Sequence, residues 1–229
     1  MKNSTINIGA IRKVASALGA LNEEVVYVGG AVVSLYINDS AADDVRPTKD
    51  IDITLEIASL SELEKLREDL AKKGFNQSSE DDVICRFRYE DLKVDVMSTK
   101  EIGWAPANPW FAPGFKHLEY ISFDNQTIRV LSLPYFLATK FTAFASRGGK
   151  DPRTSHDFED IVYILDNRTD LIEITLQAPN EVLEFLKGAF AEILSNQTMQ
   201  EAILGNLYYE TQSERFEMIM DKIKRIVQA

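Results

Sequence analysis

The segment from Val25 to Thr54 leaves this chain little freedom. It opens with an apolar, β-branched run, Val25-Val26-Tyr27-Val28, that ends on Gly29-Gly30. Ala31 to Asn38 follows with an apolar helical pattern, then a polar loop, then Lys49-Asp50-Ile51-Asp52-Ile53-Thr54, where acidic and apolar residues alternate. The pattern predicts a strand over 24–28, a helix over 31–38 and a second strand over 50–57. Strand side chains alternate between faces, so Asp50 and Asp52 share one face and Ile51 and Ile53 the other. Two carboxylates about 7 Å apart on one face repel each other and call for a cation. Mg²⁺ suits them, because it takes carboxylate oxygens and keeps room for phosphates and water. Glycine at a strand–helix turn lets backbone N–H groups approach a ligand closely, and a helix N-terminus favours anions. Each half has a plainer reading alone, a tight turn for the glycines and a solvent-facing edge for the acids. In this order they predict metal-assisted phosphoryl or nucleotidyl transfer.

The chain has 229 residues, 45% of them apolar, enough for one large or two modest domains with a real core. Its net charge of −11 argues against a protein that coats nucleic acid, since polyanion affinity comes largely from lysine and arginine. The acidity is spread along the chain: 15 basic against 21 acidic side chains over 1–131, and 10 against 15 over 132–229. It leaves room for a nucleotide site and for a cationic small substrate. A single cysteine, Cys85, excludes an internal disulfide framework and fits a reducing cytoplasm; its strand-like surroundings predict a buried, inert thiol. No apolar run approaches membrane-spanning length, and Met1 to Ile8 lacks a signal-peptide core. A cytoplasmic protein without a membrane partner is the expectation.

Along the rest of the chain, 5–20 reads as a helix. Ser61 is expected to cap the next helix, with Glu64 completing a capping box and Gly74 closing it. Residues 83–90 and 92–98 read as strands, the second carrying Asp95 between Val94 and Val96. An inward-facing acid needs a partner; beside the Asp50/Asp52 strand, Asp95 becomes a third carboxylate for the same cation. Residues 101–117 hold both tryptophans and three prolines, and read as a rigid hydrophobic lid over a core. A hairpin follows over 119–131, turning at Asp124-Asn125-Gln126. After Leu131 the pattern is helical. Ser132 is the expected N-cap of a helix on which Lys140 and Arg147 line one side. The loop Gly148-Gly149-Lys150-Asp151-Pro152-Arg153 adds two bases, and a helix over 154–166 puts Asp157 and Asp160 next to that positive spot, with Arg153 and Asp157 spaced as an i,i+4 pair. Three further helices are expected over 179–195, 197–207 and 212–227. The expected fold is α+β: a catalytic domain over 1–131, with a mixed sheet flanked by helices, and a helical domain over 132–229 completing the nucleotide site.

Gly29-Gly30, Asp50-x-Asp52 and Asp95 together resemble the DNA-polymerase-β-like nucleotidyltransferase superfamily. The finer pattern resembles the AbiEii/AbiGii family, the nucleotidyltransferase toxins of type IV toxin–antitoxin systems: Gly29-Gly30-Ala31 with Leu35, then Arg46-Pro47-Thr48-Lys49-Asp50-Ile51-Asp52, then Lys140-x-x-Ala143-x-x-x-Arg147, Arg153 and Asp157-x-x-Asp160. The Gly-Gly form is also similar to tRNA CCA-adding enzymes, but those continue with Arg-Asp where this chain has Val33-Ser34. The resemblance implies an NTP bound with two Mg²⁺ ions on Asp50, Asp52 and Asp95, with Asp95 also acting as general base on the acceptor hydroxyl. It implies Gly29 and Gly30 on the β- and γ-phosphates with Ser34 close by, Arg46 and Thr48 bordering the site, Lys140 on the triphosphate with Arg147, and Asp157 as the aspartate such toxins also need. It further implies tRNA or another cellular acceptor, and a cognate antitoxin as partner. The residues leave open an enzyme that modifies a small aminoglycoside-type molecule, and a catalytically silent fold that binds nucleotide or a partner.

Overall fold

In the computed structural model, which describes residues 2–48, 50–124, 126–147 and 151–229, the Val25–Thr54 segment lies at the centre of one mixed sheet. Its strands are β1 (Val26–Val28), β2 (Asp50–Leu55), β3 (Arg86–Tyr89), β4 (Leu92–Ser98), β5 (Leu118–Phe123) and β6 (Gln126–Leu131), in the order β3-β4-β2-β1-β6-β5. β1 runs antiparallel to β2 and parallel to β6, and β2 runs parallel to β4. β3–β4 and β5–β6 are antiparallel pairs. The strand interiors are mostly apolar: Val26, Tyr27, Ile51, Ile53, Val94, Val96, Ile128 and Val130 are all buried, and the polar Thr54 and Ser98 are buried with them. On β2 and β4 the apolar residues alternate with half-exposed Asp50, Asp52 and Asp95, as period-2 patterning requires. Helix α1 (Asn3–Leu18) buries Ile11, Val14 and Leu18, and α2 (Leu60–Lys72) buries Leu63, Leu66 and Leu70. Trp104 and Trp110 are both buried, and the short α3 (Phe111–Gly114) follows them, so the aromatic anchors of the 101–117 stretch pack into the core while much of its remainder faces solvent.

The chain divides into two compact units, Met1–Ser34 with Asp44–Ser132, and Leu35–Asp43 with Leu133–Ala229. The second unit is helical: α4 (Leu133–Ser146), α5 (His156–Asn167), α6 (Leu171–Leu176), α7 (Asn180–Ser195), α8 (Gln197–Gly205) and α9 (Gln212–Gln228). Its core draws on Phe136, Leu137 and Phe141 of α4, Phe158, Ile161 and Leu165 of α5, Leu186 and Phe190 of α7, and Ile219, Ile223 and Ile226 of α9. Several contacts tie the segment 35–43 into this unit, among them backbone hydrogen bonds from Asn38 and Asp39 to Asn167. The Tyr36 ring stacks on Phe136 at 4.3 Å between centroids, Arg168 Nη1 donates to the Tyr36 carbonyl at 2.8 Å, and Arg215 reaches Asp39. Among the described residues, no helix is long and apolar enough to cross a membrane.

Several local expectations shift. The helix expected over 31–38 is a six-residue 3₁₀ turn, Gly30–Leu35, with Gly30 to Val33 buried. Two adjacent valines disfavour a regular α-helix. The helix-dipole argument for the glycine turn therefore loses most of its force. The N-cap of α2 is Ser59 instead of Ser61: Ser59 Oγ accepts from Glu62 N–H at 3.2 Å, while Glu62 Oε2 accepts from Ala58 N–H at 2.8 Å. Both serines stand three residues before a glutamate, so the sequence carries two overlapping capping signals, and burial of Leu63 on the first turn selects the earlier one. β3 begins only at Arg86, and α6 is a helix the pattern did not mark. Arg153 pairs with Asp151 and not with Asp157, because it stands on a 3₁₀ turn before Ser155 starts α5. Asn125 of the hairpin turn and Gly148, Gly149 and Lys150 of the basic loop lie outside the described residues.

Candidate active site

Strand register builds the first cluster. Asp52 on β2 and Asp95 on β4 are Cα partners in the parallel pair, and Asp50 lies two residues before Asp52 on the same face. On the other side of β2, Asp52 is the partner of Val28, the residue before Gly29. Gly29 has φ +71°, and a Cβ there would lie 1.8 Å from Asp52 Oδ2. Glycine is thus required twice, for a left-handed backbone and for the space the Asp52 carboxylate fills. A Cβ on Gly30 would meet Arg46 Nη2 at 2.5 Å, so the guanidinium of Arg46 lies directly over the glycine turn. Thr48 Oγ1 stands 3.2 Å from Asp50 Oδ1. Ser34, at the end of the 3₁₀ turn, has a buried hydroxyl oxygen with no hydrogen-bond partner among the described residues.

Arg86 lies inside this cluster. Its Nε and Nη2 donate to Asp95 Oδ1 and Oδ2, both at 2.7 Å, and Nη2 also reaches Asp50 Oδ2 at 3.0 Å. The side chains of Arg86 and Asp95 are 15% and 13% exposed, against 36% for Asp50. The hydrogen bonds to Asp95 push the Arg86 pKa further up, so the guanidinium stays charged. Three carboxylates and one guanidinium leave a net charge of −2. Among the described residues, no three Asp, Glu, His or Cys side chains converge as a ready cation cage, and Arg86 holds three of the oxygens such a cage would use. The donor set itself fits a hard divalent cation: carboxylate oxygens on one face, a glycine turn with its N–H groups near, and an orphaned hydroxyl.

Two residues here belong to no motif. Arg86 could have been found by counting: a two-residue turn at Glu90-Asp91 pairs Tyr89 with Leu92 and hence Arg86 with Asp95. Asn7 could not. It is buried on α1, its Nδ2 donates to the Arg46 carbonyl and its Oδ1 accepts from Thr48 N–H, both at 3.4 Å, so one amide spans Pro47 and fixes the loop bearing Arg46 and Thr48. Asp44 holds the same loop by accepting from the Asn3 and Ser4 N–H groups at the start of α1. Cys85 is buried, and burial raises its thiol pKa to about 11.

The helical unit carries a second ion cluster. Lys140 on α4 is 5% exposed, and its Nζ lies 2.7 Å from Asp160 and 3.2 Å from Asp157 on α5. Arg147, itself exposed, reaches Asp157 Oδ2 at 3.3 Å. The spacing of Lys140, Asp157 and Asp160 thus converges in space, as buried ion pairs where the sequence suggests a charged flank.

A family model described as "Nucleotidyl transferase AbiEii toxin, Type IV TA system" matches residues 15–228. No curated protein matches the chain. Among solved structures, an antigenic nucleotidyltransferase-like protein from Paracoccidioides brasiliensis aligns with a TM-score of 0.52 at 15% identity, covering 93% of this chain and 97% of that one. JHP933 from Helicobacter pylori aligns with a TM-score of 0.50 at 11% identity, covering 100% of this chain and 93% of that one. At these identities the likeness is one of fold.

Proposed function

Since the chain belongs to the AbiEii family of type IV toxin–antitoxin nucleotidyl transferases, we propose that it moves an NMP from a Mg²⁺-bound NTP to an acceptor hydroxyl, with release of pyrophosphate. The observation that carries the reading is the register that sets Asp52 beside Asp95, with Asp50 on the same face and Gly29 yielding its side-chain space to Asp52. Asp50, Asp52 and Asp95 would hold the Mg²⁺ ions, which supply charge neutralisation on the triphosphate and a more acidic acceptor hydroxyl. The N–H groups of the Gly29-Gly30 turn, the Ser34 hydroxyl, Arg46 and Thr48 bind phosphate oxygens. Asn7 keeps Arg46 and Thr48 in place. Asp95 takes the acceptor proton once its carboxylate is released from Arg86. Lys140 and Arg147 keep the role toward the triphosphate that the family resemblance implies, and Asp157 remains the aspartate such toxins also need. Most of the catalysis is positioning and electrostatics.

The acceptor we favour is tRNA or another cellular hydroxyl, with an antitoxin as cognate partner. The second reading, a cationic small acceptor such as an aminoglycoside, is supported by the net charge of −11. The test is to incubate the protein with Mg²⁺, each labelled NTP in turn, and pools of total tRNA, cell protein or aminoglycosides. The Asp50→Ala/Asp52→Ala double variant serves as blank. Label is expected in one pool and absent with the variant. Equal labelling by the variant would remove the carboxylates from the mechanism. NTP–Mg²⁺ binding without label in any pool would mean that the acceptor or a partner is missing, and neither label nor NTP binding would favour the silent fold.

A further inference from the structure

We propose that Arg86 is the resident counter-cation of the carboxylate cluster, and that it leaves Asp50 and Asp95 when a divalent cation binds there. The inference rests on the metal-dependent reading above and goes beyond it by assigning a residue outside the family's motifs. Arg86 stands opposite Asp95 in the β3–β4 register, and its fork grips both Asp95 oxygens and one of Asp50. These oxygens lie on the face where Asp52 also stands. A cation held by all three aspartates needs the same atoms, so guanidinium and metal ion compete for them.

The side chain also has somewhere to go. Arg86 lines a cavity of about 230 Å³ bounded by the loop 77–84, with Gln77, Asp81, Asp82 and Ile84 on its wall. Asp81 is already held by Arg88 at 2.7 Å, and Asp82 is exposed. A guanidinium withdrawn from Asp50 and Asp95 would stay on the wall of a cavity that Asp81 and Asp82 also line. The contacts rank the order of release. Asp50 is held by one bond at 3.0 Å and is the more exposed partner, so it parts first, and Asp95 parts second.

The test measures Mn²⁺ binding to the nucleotide-free full chain by calorimetry, and thermal unfolding with Mn²⁺ or with EDTA, for the wild type, Arg86→Gln and Arg86→Lys. Arg86→Gln is expected to bind Mn²⁺ at least tenfold more tightly than the wild type. It should melt lower than the wild type in EDTA and recover most of that loss in Mn²⁺, because the ion takes over the charge the guanidinium supplied. Adding Asp52→Asn should abolish the gain. Arg86→Lys, which keeps the charge but loses the fork, should fall between the two and serves if Arg86→Gln does not fold. Equal or weaker Mn²⁺ affinity in Arg86→Gln, with the same melting loss in Mn²⁺ and in EDTA, would overturn the proposal and leave Arg86 a fixed brace of Asp95. In that case Mg²⁺-dependent labelling by the wild type would still uphold the nucleotidyl-transfer reading. If the wild type transfers no label and none of the variants binds Mn²⁺, both fall.

Discussion

Single residues decide the geometry of the carboxylate cluster, and Gly29 decides most. An alanine there would need φ +71° and would put its Cβ within 1.8 Å of Asp52 Oδ2. Backbone strain of this kind costs on the order of 1–3 kcal/mol, and the displaced carboxylate should cost transfer at least tenfold. Gly30→Ala meets only the end of a flexible side chain, Arg46 Nη2 at 2.5 Å. It should therefore melt close to the wild type while weakening NTP binding, since Arg46 must move. Melting temperature and NTP affinity for both variants check this; a Gly30→Ala protein less stable than Gly29→Ala would contradict it. The sequence marks both glycines as a tight turn. It cannot say which one holds a left-handed φ, because that depends on the Asp52 side chain arriving from the neighbouring strand. Alternation alone puts Asp50 and Asp52 on one face; Asp95 joins them only if its strand lies beside theirs, which the β2–β4 register supplies. Arg86 needed the hairpin register, and Asn7 needed the placement of α1.

At the scale of elements, two overlapping S-x-x-E signals open α2, and the structure chooses Ser59. Ser59→Ala should cost about 1 kcal/mol, the usual worth of an N-cap, while Ser61→Ala, inside the helix where alanine is the better helix former, should cost nothing; urea titration of the two variants checks the assignment. The end of α5 is held differently. Lys222 of α9 is buried, and its Nζ donates to the carbonyls of Leu165, Asp166 and Arg168 at 2.8 to 3.2 Å. Arg215, from the same helix, reaches Asp166 at 2.6 Å. Neither contact follows from helical periodicity, which reads Lys222 as one more solvated lysine. The α4–α5 pair raises a caution for mutagenesis. Lys140→Met removes the ammonium from buried Asp160 and from Asp157, which keeps Arg147, and breaking a buried ion pair costs roughly 3–5 kcal/mol. A loss of activity in that variant should therefore come with a large drop in melting temperature. An inactive Lys140→Met protein that melts like the wild type would instead show that the ammonium acts in the reaction.

For the molecule as a whole, the charge pattern sets a pH window. Four aspartates are held below their ordinary value of 3.8 by cationic neighbours: Asp81 by Arg88, Asp69 by Lys72, Asp91 by Lys13 and Asp151 by Arg153. In the unfolded chain these groups return to the ordinary value. Between the two values the unfolded chain binds more protons, so stability falls as pH falls. The contribution is fully present above about pH 5 and is lost on descent through and below 3.8. Melting temperature should accordingly stay flat from about pH 7 to 5 and drop below about 4. Arg88→Gln isolates one part of this. Asp81 is then freed from its largest cause of lowering, so the variant should start less stable at neutral pH and lose less on acidification, its curve converging on that of the wild type. Parallel curves at every pH would mean that the Arg88–Asp81 pair contributes by packing and not by proton linkage.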